Sequence, residues 1–149
     1  MASRRKNSMN IQVKKLHPDA KIPNFAHPGD AGMDLYSVEE RVLKPGERAS
    51  VATGFAMALP YGYVALVWDK SGVSHKFGVK VLGGVIDAGY RGEYLIGLVN
   101  LGQENFEIKP GQKIAQLLIQ KVEHPSVEEV VGLDDTSRGD GRFGSTGVH

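Results

Sequence analysis

Val79-Lys80-Val81-Leu82-Gly83-Gly84-Val85-Ile86-Asp87-Ala88-Gly89-Tyr90-Arg91-Gly92 decides how the chain is read. An apolar run, Val79–Ile86, is followed by a turn at Ala88-Gly89-Tyr90, and a second run, Tyr94–Asn100, starts soon after. Short β-branched and aromatic segments between turn residues read as strands. The pattern continues outward. Ile11–Leu16 alternates apolar and polar residues, and Val51–Leu59, Tyr63–Trp68 and Ile114–Val122 are further short runs. Lys44-Pro45-Gly46-Glu47 and Lys109-Pro110-Gly111-Gln112 are near-identical turns. In each, Pro presets φ and Gly accepts a positive φ. Pro60-Tyr61-Gly62 is another turn. Short strands at this spacing predict an all-β sandwich or barrel. Only Ser71–Phe77 is suited to a helical turn, with Ser71 as its expected cap.

The 149 residues fit one domain with a real core. The hydrophobic fraction, 41%, is that of an ordinary globular chain. No apolar run approaches the roughly 18 residues of a membrane span. The basic start, Met1–Asn7, has no apolar stretch behind it and does not read as a secretory signal. Residues 1–10 are expected to be a disordered arm, 11–133 the β domain, and 134–149 a polar, Gly-rich C-terminal arm. The absence of cysteine excludes disulfides and thiol chemistry and fits a cytoplasmic protein. A net charge of +1 supplies no bulk attraction to nucleic acid or an anionic membrane, so neither is expected as a partner.

Several constellations could carry chemistry. Asp87 ends an apolar segment flanked by glycines, a place where a carboxylate either caps a turn or activates a water. Asp34 lies in Ala31-Gly32-Met33-Asp34-Leu35-Tyr36-Ser37. There it is either a strand-end group in solvent or a buried carboxylate that must meet a cation or a donor. Asp69-Lys70-Ser71-Gly72 joins a strand to the helical turn, as an anion site or simply as a cap. Gln116 is polar among strand apolars, in Ile114-Ala115-Gln116-Leu117. In the arm, Phe143 is the one large apolar residue, and Gly144-Ser145-Thr146-Gly147 offers donors suited to phosphate. The histidines show no metal-ligand spacing. Arg138-Gly139-Asp140 could be read as an adhesion triplet, which a cysteine-free chain without an export signal does not favour.

In this order, the segments resemble the five motifs of the trimeric deoxyuridine triphosphatase (dUTPase) family. They are Ala31–Ser37, Asp69–Gly72, Gly84–Gly92, Gly111–Leu117 and Arg138–Gly147, and the resemblance runs from about Ile11 to the C-terminus. It implies a jelly-roll-like β subunit with one short helix and a flexible C-terminal arm. It also implies a homotrimer whose active sites are each built from all the chains, Mg²⁺ as cofactor, and hydrolysis of dUTP to dUMP and pyrophosphate. Asp87 would be the general base, Asp34 would hold a water on the metal, and Gln116 would complete the catalytic set. Lys70, Ser71 and Gly72 would bind phosphate. Gly84, Val85, Ile86, Asp87 and Tyr90 would form the uracil and deoxyribose pocket. Arg138, Phe143, Gly144, Ser145 and Thr146 would close over the nucleotide, with Phe143 on the base.

Two positions depart from the family pattern. Lys70 stands where Arg is usual and cannot make a bidentate fork to phosphate. Arg142 stands where Gly is usual and brings an extra cation near the γ-phosphate contacts. The rivals are a dCTP deaminase-like enzyme of the same fold and a non-catalytic nucleotide-binding trimer. Deamination would require a carboxylate three residues before Asn100, where this chain has Gly97.

Overall fold

A computed structural model describes residues 9–148. Most of the expected N-terminal arm, residues 1–8, lies outside the described residues. The strands are β1 (Gln12–Lys15), β2 (Met33–Tyr36), β3 (Arg41–Leu43), β4 (Arg48–Ala58) and β5 (Tyr63–Trp68). After helix α1 (Ser71–Phe77) come β6 (Val79–Leu82), β7 (Val85–Ile86), β8 (Glu93–Asn100), β9 (Phe106–Ile108) and β10 (Lys113–Lys121). One sheet has the order β1-β4-β8-β6, a second β2-β10-β5-β7, and β3 pairs with β9. All the pairings are antiparallel. The fold is all-β and jelly-roll-like, as the turn spacing and the family resemblance together lead one to expect.

The core lies between the sheets. Strand β8 shows the alternation that creates it: Tyr94, Ile96, Leu98 and Asn100 are buried while Leu95 is exposed. Leu35, Val51, Phe55, Ile108, Ile114 and Leu117 fill the same core. Each fully buried side chain of this size contributes roughly 1.5–3 kcal/mol. Asn100, the buried polar exception, is fully used. Its Nδ2 donates to Leu43 O and Glu104 O at 2.8 Å each, and its Oδ1 accepts from Gly102 N at 2.9 Å. A buried amide satisfied this way acts as a structural staple.

Both Pro-Gly turns form as expected. Glu47 N donates to Lys44 O at 2.9 Å and Gln112 N to Lys109 O at 3.0 Å, with positive φ at Gly46 and Gly111. Two expectations need correction. Ser71 does not cap α1: the cap position is Lys70, whose side chain makes no cap hydrogen bond, and Ser71 is the first helical residue. Val79–Ile86 is not one strand. Gly83 (φ +70°) and Gly84 (φ +120°) break it, so β6 stays in the first sheet while β7 joins the second. L-residues resist such φ values, which is why glycine sits at the crossing.

Candidate active site

The sheet crossing makes a pocket. About 280 Å³ in volume, it is lined by Val67 and Leu82, the Gly84–Asp87 backbone, Tyr90, Tyr94 and Gly97 among others. Gly84 is required by close approach: its carbonyl accepts Val67 N–H at 2.7 Å, and a Cβ there would stand 2.6 Å from Val67 O. Asp87 follows β7 directly and is solvent-exposed at this pocket. The main chain closes the turn after it, with Tyr90 N donating to Asp87 O at 3.1 Å. Tyr90 is fixed by its hydroxyl donating to Glu93 O at 2.9 Å. Beneath it, the Tyr94 hydroxyl is buried without a hydrogen-bond partner. Burial pushes its pKa up to about 12, so this phenol stays neutral.

A second cluster gathers at the meeting of β2, β10 and the end of β5. Asp34 is 4% exposed. Its Oδ1 accepts from Lys70 Nζ at 2.7 Å, and Lys113 Nζ stands 3.0 Å from Oδ2. Each carboxylate oxygen of Asp34 thus faces one lysine ammonium. Burial works to raise the Asp34 pKa, but the two ammonium groups outweigh it and hold the carboxyl below its usual value. Asp34 in turn raises the Lys113 pKa. The cation that Asp34 requires is thus a pair of lysines.

Gln116 pairs in register with Asp34 on one side and Trp68 on the other. Its Nε2 donates to Asp69 O at 2.8 Å. Gly32 has no Cβ because one would collide with the Gln116 amide. Gln116 is therefore held in place and is not a free solvent-facing residue. Ser71 and Gly72 lie exposed at the start of α1, beside Lys70.

The structure brings together Asp34, Lys70 and Gln116 as one group, and Gly84, Val85, Ile86, Asp87 and Tyr90 as another. Arg138, Phe143, Gly144, Ser145 and Thr146 join neither. Residues 134–148 make only local turns, such as Ser145 N to Arg142 O at 2.9 Å, and Phe143 is fully exposed. The sequence reading missed two members. Lys113 was quoted within a motif but assigned no role; its place just after a Pro-Gly turn, entering β10, was the available signal. The Asp69 side chain was likewise passed over. Its Oδ1 accepts Val81 N–H at 2.7 Å and its Oδ2 pairs with Lys80 Nζ at 2.6 Å. Among the described residues, no group of three or more His, Cys, Asp or Glu side chains could cage a metal. No helix among them is long and apolar enough to cross a membrane.

A sequence model of the dUTPase family matches residues 18–147. Deoxyuridine 5'-triphosphate nucleotidohydrolase of Clostridioides difficile is 50% identical over 140 residues, covering 93% of this chain and 98% of that one. The enzyme of the same name from Rhodococcus erythropolis is 47% identical over 144 residues, covering 95% and 88%. Among solved structures, the dUTPase of Staphylococcus bacteriophage 80alpha with dUPNHPP superposes with a TM-score of 0.89 at 33% identity, covering 93% of this chain and 99% of that one. A variant of the dUTPase from phage phi11 of S. aureus, described with a coordinated structural Mg(II) ion, reaches a TM-score of 0.79 at 32% identity, covering 85% and 99%.

Proposed function

The chain belongs to the dUTPase family, and from that premise we propose that it hydrolyses dUTP to dUMP and pyrophosphate with Asp87 as general base. The observation that carries the assignment is an exposed carboxylate at the rim of a pocket floored by main chain and aromatic rings. Uracil enters between the Val81–Val85 crossing and the pocket floor, where backbone groups read its edge. Tyr90, held by Glu93 O, packs on the sugar and leaves no room for a 2′-hydroxyl. Asp87 takes the proton of the water that attacks the α-phosphorus, and the P–O bond to the pyrophosphate leaving group breaks.

Lys70, Ser71 and Gly72 hold the phosphates, and Gln116 fixes their approach from β10. Asp34, held ionised by its lysines, is an acceptor to which a water on Mg²⁺ would donate, and among the described residues no cluster of His, Cys, Asp or Glu offers the ion a protein cage. Mg²⁺ held in this way would lower the charge barrier to attack.

Each site is completed by other copies of the chain, in a homotrimer. Supporting this, residues 123–133 form no helix or strand, and Val127, Val131 and Leu133 are at least 89% exposed. A lone subunit would leave that apolar strip wet, and a neighbour would cover it. Phe143 then stacks on uracil in another copy's site, and Arg138, Gly144, Ser145 and Thr146 hold the γ-phosphate. The absence of cysteine suits a cytoplasmic enzyme.

The test is pyrophosphate release from dUTP, dTTP, dCTP and UTP, with and without Mg²⁺, by the wild type and Asp87→Asn. Release from dUTP alone is expected. Asp87→Asn should keep dUTP affinity and lose about 10²–10⁴-fold in turnover. Near-normal turnover would remove Asp87 from the base role.

A further inference from the structure

Asp69 lies between the two clusters. It follows β5, which forms one wall of the pocket, and its side chain reaches across to β6, which begins the crossing. Strand β6 is the edge of its sheet, paired only with β8. The Val81 N–H on the open side therefore has no strand partner. Asp69 Oδ1 accepts it at 2.7 Å, and Lys80 Nζ completes the carboxylate at 2.6 Å. Three residues on, Val67 N–H binds Gly84 O at 2.7 Å. The link between β6 and β7 is thus tied at two points, to Asp69 just beyond β5 and to Val67 within it, with Leu82 and Gly83 between them. The Asp69 carbonyl meanwhile accepts from Gln116.

We infer that Asp69 is a positioning residue that sets the width of the base pocket and so the preference for uracil over thymine. The inference rests on the reading of this pocket as the uracil site. Two hydrogen bonds tie the link between β6 and β7 to the end of β5. Without the bond at Val81, β6 would keep its ladder to β8 and β7 its pairing with β5, but β6 would lose its tie to the β5 end, and the gap between them would widen. Thymine differs from uracil by one methyl group. An apolar slot discriminates one such group by about 10–200-fold at best, and only while its walls are held. The Asp69 carboxylate lies outside the pocket lining, so a side-chain substitution there removes a support of the wall without touching a residue that meets the nucleotide.

The experiment measures kcat/KM for dUTP and dTTP, and melting temperature, on the full chain with Mg²⁺ for the wild type, D69A, D69N and K80M. D69A is expected to lower the dUTP-to-dTTP ratio by about tenfold. D69N, which retains an acceptor for Val81 N–H, and K80M, which spares that bond, are expected to stay within about threefold of wild type. A D69A enzyme that melts lower but keeps the wild-type ratio has lost only a structural contact, and the inference falls. If D69A does not fold, D69S replaces it, and an unchanged ratio there overturns the inference equally. A wild type inactive on dUTP sinks the functional reading instead. In that case relative binding of dUMP and dTMP to wild type and D69A still decides the role of Asp69.

Discussion

Gly84→Ala probes the geometry on which the pocket depends. At φ +120° an L-residue is strained by about 1–3 kcal/mol. The new methyl would lie 2.6 Å from Val67 O, a backbone atom that cannot rotate away. The crossing must therefore retreat from β5, and the 2.7 Å bond from Val67 N–H to Gly84 O is lost or stretched. That bond contributes about 0.5–1.5 kcal/mol, so the total is about 3 kcal/mol. For a domain of this size the melting temperature should fall by about 6–12 °C. Because Gly84 lines the pocket, KM for dUTP should rise together with the loss of stability. Gly83→Ala is the control: it shares the positive φ, but its Cβ would meet nothing within 4 Å. It should cost about 1 kcal/mol and leave the pocket shape intact. Circular dichroism melts and steady-state kinetics on both variants decide the matter. If Gly84→Ala melts within about 2 °C of wild type and binds dUTP normally, the close-approach reasoning is wrong.

Truncation before Arg138 should leave melting within a few degrees of wild type, since the arm's hydrogen bonds are all local, while kcat/KM for dUTP falls by about 100-fold or more. A truncated chain as active as the whole one would exclude the arm from the site. Burial works to raise the Asp69 pKa, but Lys80 and the Val81 amide outweigh it, so the folded value lies below 3.8. The stability contributed by ionised Asp69 is therefore fully present above pH 3.8 and lost as pH falls through the folded pKa. The melting difference between wild type and Asp69→Asn should be flat at neutral pH and close in acid; a difference that persists through the acid limb would refute the sign.

The strands and turns that could be read in the sequence share one property: local chemistry alone determines them. Tyr63–Trp68 and Ser71–Phe77 have the bounds the residue pattern predicts. Arg41–Leu43 and Phe106–Ile108 went unread because three residues are too few to show a period, and each depends on the other for its hydrogen bonds. The break in Val79–Ile86 was hidden differently. Gly83-Gly84 reads equally well as a hairpin tip within one sheet or as a crossing between two, and only the pairing of β7 with β5 distinguishes them.

The Asp34 cluster was half legible for an electrostatic reason. An aspartate inside an alternating strand advertises a need for a cation, but which cation depends on tertiary approach. Lys70 comes from 36 residues away and Lys113 from the neighbouring strand β10. Together they surround one carboxylate with two ammonium groups, leaving an excess positive charge whose carriers are 33% and 46% exposed. A triphosphate carries about four negative charges, so this excess attracts it without neutralising it. The remaining charge calls for a further cation. On this view Lys70 in place of arginine costs little: an ammonium is a point charge, and a point charge is what pairing with Asp34 Oδ1 demands in the free protein. The fork that lysine cannot make would matter only at a phosphate, where, in the proposed trimer, Arg138 of another copy's arm would supply it.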